Sequence, residues 1–123
     1  MERHPCRISG TVTKGDKYGK LLGFPTANLS VEGFLTSEPG IYAGIASVGS
    51  LRYKASIVIT PAPVGESPKV EAYLLGFSGE LYGKTVFLEL RGYLRPYMTF
   101  DDSEALRLQI REEVERTDEL ITL

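Results

Sequence analysis

The chain has 123 residues, 42% of them hydrophobic, with 14 Lys and Arg against 16 Asp and Glu for a net charge of -2. That length suits one domain with a core of its own, and the charge balance argues against a broad electrostatic grip on nucleic acid or an anionic membrane. A single cysteine, Cys6, excludes an intramolecular disulfide, and a single histidine, His4, argues against a His-rich metal centre or a Ser-His triad.

The N-terminal "MERHPCR" lacks the apolar core of a signal peptide, and no apolar run approaches the roughly 18 residues of a membrane span. The expected location is cytoplasmic. "RISGTVTKG" alternates, with Ile8, Gly10 and Val12 on one face, and predicts a strand ending at Gly15. "GDKYGKLLGFPTANLS" follows, and its glycines and proline exclude a long helix while its length exceeds a tight turn.

"GIYAGIASVGSLRYKASIVIT" reads as two strands joined near Gly49 and Ser50, a hairpin. "PAPVGESP" is a second loop, "KVEAYLLGF" a strand, "GELYG" a turn and "KTVFLELRGYLR" another strand, with Val86, Leu88, Leu90 and Leu94 in phase. From Asp101 the period changes: Leu106, Ile110, Val114 and Ile121 recur at helical spacing, and Asp101 with Glu104 forms a capping box. Five or six short strands and one helix predict a mainly β fold, a small antiparallel barrel closed by a C-terminal helix. Nothing marks a linker, so residues 1–123 read as a single domain.

Three places carry candidate chemistry. Lys14 to Gly23 holds three glycines (Gly15, Gly19, Gly23) and three lysines (Lys14, Lys17, Lys20). Glycine backbone can approach an anion closely, with lysines neutralising it; a loop with solvated lysines has the same composition. Just after it, Pro25 stiffens the entry to Thr26 and Asn28, which share a face if the segment is extended. A hydroxyl and an amide oxygen are hard neutral ligands suited to Mg²⁺ held mainly by phosphates and water; the same pair also suits a turn bonded to its own backbone.

Glu71 lies in phase with Tyr73, Leu75 and Phe77, so it is either a partly buried general base of raised pKa or a strand-end carboxylate in solvent. "LRPYMTF" mixes Arg95 with Tyr97, Met98 and Phe100: residues that can pack on a flat heterocycle or serve as core, with Arg95 binding a ligand or pairing with helix carboxylates.

The pieces "ISGTVTKGDKYGKLLGFPTANL", "GIYAGIASVG", "VEAYLLGF", "ELYGK", "LRPYMTF" and "ALRLQIREEVE", in that order, resemble the riboflavin kinase (flavokinase) family, including the C-terminal module of bacterial bifunctional riboflavin kinase/FAD synthetases. The resemblance covers nearly the whole chain, with "LGFPTAN" its most specific part. It implies a six-stranded antiparallel Greek-key barrel with a C-terminal helix. It also implies transfer of the γ-phosphate of ATP to the 5′-hydroxyl of riboflavin, giving FMN, with Mg²⁺ or another divalent metal.

On that resemblance, Gly15 to Lys20, with Gly15, Gly19 and Lys20 named, form a flap over the phosphates. Thr26 and Asn28 bind metal and phosphate oxygens, and Glu71 takes the ribityl hydroxyl's proton. Leu81, Tyr82 and Gly83 lie near adenine, and Arg95 borders the flavin. The partners implied are these small substrates, with an FAD synthetase domain compatible with the native chain. The sequence departs from the family at "ITPAP", where an "IGxNP" pattern is usual, and at Tyr73, where a histidine is usual. A catalytically impaired flavin- or nucleotide-binding barrel is the alternative; a nucleic-acid-binding barrel fits the acidic balance poorly.

Overall fold

The computed structural model describes residues 6–13, 26–31 and 38–123. Six antiparallel strands, β1 (Cys6–Thr13), β2 (Ala27–Val31), β3 (Gly40–Val48), β4 (Leu51–Thr60), β5 (Lys69–Leu74) and β6 (Thr85–Arg95), precede one helix, α1 (Ser103–Leu120). The strands close into a barrel in the order β1-β2-β5-β4-β3-β6. β3, β4 and β5 form a meander, and β2 lies beside β5, which is the Greek-key step. The β3–β4 hairpin turns at Gly49 and Ser50, with Val48 facing Leu51 and Gly49 at φ 59°, as the sequence predicts.

Period-two alternation sorts the side chains. Ile8 and Val12 from β1, Ala27 and Leu29 from β2, Val70, Ala72 and Leu74 from β5, and Val86, Leu88 and Leu90 from β6 fill the interior with Ile57 and Ile59. Leu94 does not join them. It packs outside the barrel with Ala43, Ile45 and Ile121, under the helix. The pairing of β3 with β6 explains the change of face. Gly44 pairs with Leu90 but Ala43 with Gly92, so Arg91 is an extra residue, and a second shift follows between Tyr42 and Ile41. A bulge inverts the phase of every residue beyond it, so Leu94 changes face.

Gly44 is required at that bulge, because a Cβ there would collide with the Glu89 carbonyl oxygen. Gly44→Ala is expected to destabilise the barrel by about 1–3 kcal/mol, read as a lowered denaturation midpoint in urea with unchanged m.

The helix lies over the outer faces of β3 and β4. Its N-cap is Asp102, whose Oδ1 accepts from the Glu104 amide at 3.1 Å, so the cap is one residue beyond the predicted Asp101. Lys54 on β4 fastens its far end, donating to the Asp118 carbonyl at 2.8 Å and carboxylate at 3.0 Å. Glu113 and Thr117 are the residues it buries, with Ile121 buried at its C-cap. Among the described residues no helix is long and apolar enough to cross a membrane.

Candidate active site

Asn28 and Glu71, 43 residues apart in sequence, face each other directly across the β2–β5 ladder. Asn28 sits between buried Ala27 and Leu29, and Glu71 between buried Val70 and Ala72, so both side chains leave the barrel on its outer face. Opposed residues of an antiparallel pair hold their Cβ atoms about 5 Å apart. Thr26 is two residues before Asn28 and half-buried, on the same side of the alternation. The expectation that Thr26 and Asn28 form a local pair therefore widens to a trio of oxygen donors: a hydroxyl, an amide and a carboxylate.

The register extends this pair into a row that crosses every strand. Thr13 pairs with Asn28, Asn28 with Glu71, Glu71 with Val58, Val58 with Ile41, and Ile41 with Arg95. Thr13 carries no motif of its own in the sequence, although the alternation of "GTVT" turns it outward; its Oγ1 donates to the Asn28 carbonyl at 3.4 Å. Val58 and Ile41 form an apolar interval between Glu71 and Arg95. With strands about 4.8 Å apart, that interval separates the carboxylate from the arginine by about 14 Å of sheet.

Glu71 shares its face with Tyr73 but not with Phe77. β5 ends at Leu74, Gly76 turns the chain at φ 81°, and Phe77 packs edge-on against Tyr53 at 5.4 Å beside the core. The strand predicted to run through "LLGF" is thus shorter, and the apolar surroundings expected of Glu71 are Tyr73 and Val58 rather than Leu75 and Phe77.

The turn holding Leu81, Tyr82 and Gly83 is stitched to the same end of β1. The Gly83 amide donates to the Val12 carbonyl at 2.9 Å, and the Val12 amide to the Lys84 carbonyl at 2.9 Å. The Glu80 carboxylate caps the turn by accepting from the Leu81 amide at 3.1 Å. Leu81 is buried in the core cluster, Tyr82 is exposed, and Gly83 has φ 78°. Gly15, Gly19 and Lys20 lie outside the described residues.

Arg95 stands at the far end of the row and is held by several groups. Its Nε donates to the Glu113 carboxylate at 2.5 Å, its Nη2 contacts the same oxygen at 2.5 Å, and its Nη1 donates to the Pro96 carbonyl at 3.0 Å. The guanidinium carbon lies 5.6 Å from the centre of the Phe100 ring, on its face. Gln109 adds a hydrogen bond to the Glu113 carboxylate at 3.2 Å. Burial pushes the Glu113 carboxyl above the usual carboxylate range, and the Arg95 charge only partly offsets that. Of the two roles open to Arg95 in the sequence, pairing with a helix carboxylate is realised.

The donor set of Thr26, Asn28 and Glu71 suits a small hard cation that takes its remaining ligands from phosphate and water. Among the described residues no cluster of three His, Cys, Asp or Glu gathers to hold a metal alone.

Residues 2–121 match the sequence model of the flavokinase family, described as riboflavin kinase. A bifunctional riboflavin kinase/FMN adenylyltransferase of Listeria monocytogenes is 31% identical over 127 residues, spanning 93% of this chain and 38% of that protein. A bifunctional riboflavin kinase/FMN phosphatase of Arabidopsis thaliana is 35% identical over 128 residues, spanning 97% of this chain and 34% of that protein. The chain thus spans little more than a third of the curated relatives it matches.

Among solved structures, one titled as a macrolide-efflux protein from Streptococcus pneumoniae superposes with a TM-score of 0.85 at 26% identity, covering 93% of this chain and 38% of that one. The riboflavin kinase of Trypanosoma brucei superposes with a TM-score of 0.69 at 23% identity, covering 96% of this chain and 78% of that one, a likeness of fold. The family match over nearly the full chain, the relatives at 31% and 35% identity and the closed six-stranded barrel agree with one another, and on them the chain belongs to the riboflavin kinase family.

Proposed function

We propose that residues 1–123 form a riboflavin kinase domain that transfers the γ-phosphate of ATP to the 5′-hydroxyl of riboflavin, giving FMN and ADP. The observation that carries this reading is the cross-strand pair of Asn28 and Glu71, a carboxylate beside a hard oxygen ligand, in a chain of this family. The two relatives differ in their second activity, adenylyltransferase in one and phosphatase in the other, and share the kinase in their names. A stretch common to both, covering about a third of each, is best read as the kinase part.

Phosphoryl transfer asks for alignment and charge neutralisation more than for covalent chemistry. Glu71 accepts the proton of the ribityl hydroxyl as its oxygen bonds to the γ-phosphorus and the bridging bond to ADP breaks. Thr26 and Asn28 would hold Mg²⁺ together with phosphate oxygens, and the ion would supply neutralisation of charge on the transferring group. Leu81, Tyr82 and Gly83, fixed to β1 beside Thr13, border the adenine. Gly15, Gly19 and Lys20, outside the described residues, are the groups this reading assigns to the phosphates.

Val58 offers the flavin ring an apolar floor between Glu71 and the Arg95 end of the row. Arg95 acts there through the position it gives the segment from Pro96 to Phe100, since its guanidinium is occupied by Glu113. In its native setting the domain is compatible with a neighbouring FAD synthetase module.

Incubating the purified chain with riboflavin, ATP and Mg²⁺ and separating the flavins by chromatography is the direct test. FMN accumulating with enzyme and ATP is the expected result; folded protein yielding none above background overturns the reading and favours a binding-only barrel. Asn28→Ala is expected to raise the Mg²⁺ concentration needed for half-maximal rate about tenfold or more. A titration superimposable on the parent would remove Asn28 from the metal site.

A further inference from the structure

In the closed order of six strands, β6 lies three strands from β5 in either direction, so its outer face is on the wall opposite Glu71. A cleft of about 360 Å³ runs over it, between β1 on one side and β3 and β4 on the other. That volume falls within the range of small-molecule sites.

One cross-strand row forms its base. Ser9 pairs with Phe87, Phe87 with Ser47, and Ser47 with Arg52. Phe87 is 57% exposed, a large aromatic surface left in water near the start of β6 between two hydroxyls. Leaving more than half of such a side chain uncovered forfeits on the order of 1 kcal/mol of burial, a cost that an open face for a ligand offsets.

The charges around Phe87 are unevenly used. Glu89 is satisfied by Arg91, whose Nη2 approaches it at 2.6 Å and whose Nε donates to it at 2.8 Å. Arg7 reaches Glu89 only at 3.8 Å, with 80% of its side chain exposed, a contact that contributes little. Arg52 makes no ion pair or hydrogen bond among the described residues. Two guanidiniums with spare donors therefore flank an exposed ring and two serine hydroxyls, in a chain whose net charge is -2. Arginine forks suit phosphate and carboxylate oxygens, serine hydroxyls complete such a shell, and a phenyl face accepts a flat ring.

We propose that this cleft is a second ligand site, separate from the Asn28–Glu71 site, that takes a planar aromatic group bearing an anionic substituent such as a phosphate monoester. The ring lies on Phe87, and the anion sits against Ser47 and Arg52, with Arg7 closing the other side. The inference does not depend on the kinase reading, because it uses no residue of that site.

The test is a two-dimensional amide NMR titration of the full chain with 1-naphthyl phosphate, with inorganic phosphate as a parallel arm. Saturating shifts at Ser9, Ser47, Arg52 and Phe87 are expected, with a Kd on the order of 0.1–1 mM. Arg52→Ala and Phe87→Ala, both exposed positions that leave the core intact, should each weaken binding about tenfold, since one charged hydrogen bond or one ring contact is worth roughly that factor. Asn28→Ala should leave it unchanged.

Three results overturn the proposal: no saturation by 1-naphthyl phosphate up to about 10 mM; inorganic phosphate matching its shifts and affinity; or shifts that follow Asn28 and Glu71 and ignore Arg52→Ala and Phe87→Ala.

Discussion

Glu71→Gln is expected to lower kcat for FMN formation by about 10²–10⁴-fold while leaving the KM for riboflavin and for ATP within a few-fold of the parent. The size follows from what is removed. Glutamine keeps the volume and one acceptor oxygen of the side chain, so ground-state contacts persist, but it cannot take a proton from the attacking hydroxyl. A loss confined to kcat is the signature of an interaction made only in the transition state. The factor corresponds to about 3–5 kcal/mol of barrier.

The position of Glu71 bears on the prediction. It lies in the middle of a ladder, bracketed by Asn28 on β2 and Val58 on β4, so its backbone is held from both sides. A carboxylate on a rigid element can be aimed to within the tolerance that proton transfer requires, which a loop residue achieves less often. The contrasting substitution is Asn28→Ala one strand away, whose expected effect falls on the Mg²⁺ requirement. If Glu71→Gln raised KM and spared kcat, the carboxylate would be a binding group and the proton acceptor would lie elsewhere.

Much of this arrangement is legible in the sequence, and the parts that are not have physical reasons. Strand positions and the hairpin at Gly49 and Ser50 follow from alternation and turn chemistry, both local properties. The candidate residues Thr26, Asn28 and Glu71 were readable as residue types. That Asn28 and Glu71 face each other across one ladder is not, because the Greek-key step that sets β2 beside β5 leaves no periodic trace. Alternation alone puts Leu94 on the interior face with Leu90, but a bulge at Arg91 resets the phase, and only the requirement for glycine at Gly44 hints at it.

Arg95 shows a different limit. "LRPYMTF" announces an arginine among aromatics, and the acidic helix announces carboxylates, but their pairing depends on where α1 crosses the barrel. Glu113 is the one carboxylate of the helix that faces inward. Its burial was not readable because helical spacing there puts Glu113 and Thr117 on the buried side along with Ile121, while Leu106, Ile110 and Val114 are only half-buried.

That inward pair yields the second large effect. Arg95→Ala is expected to destabilise the fold by about 3 kcal/mol near neutral pH, measured as the loss of unfolding free energy in urea. Much of the loss comes from the partner left behind: a carboxylate almost fully removed from water, with only the Gln109 amide still bonded to it. The pH dependence has a definite sign. In the parent the Glu113 carboxyl is already raised, burial outweighing Arg95, and the substitution removes both of the opposing arginine contributions, raising it further.

A carboxyl raised in the folded state favours folding fully while pH is below its unfolded value, about 4.3, and that advantage is lost as pH rises through the folded value. The gap between parent and Arg95→Ala should therefore narrow as the pH is lowered from 7.5 toward 4.5. Adding Glu113→Gln to Arg95→Ala should recover part of the lost stability at pH 7.5, because the uncompensated charge is gone while a polar group remains for Gln109. A gap that stays constant across this range, or a double variant no more stable than Arg95→Ala alone, would mean that Arg95 stabilises through its contact with Phe100 and its bond to Pro96. The anchoring of α1 would then rest on Lys54 and Asp118 at its other end.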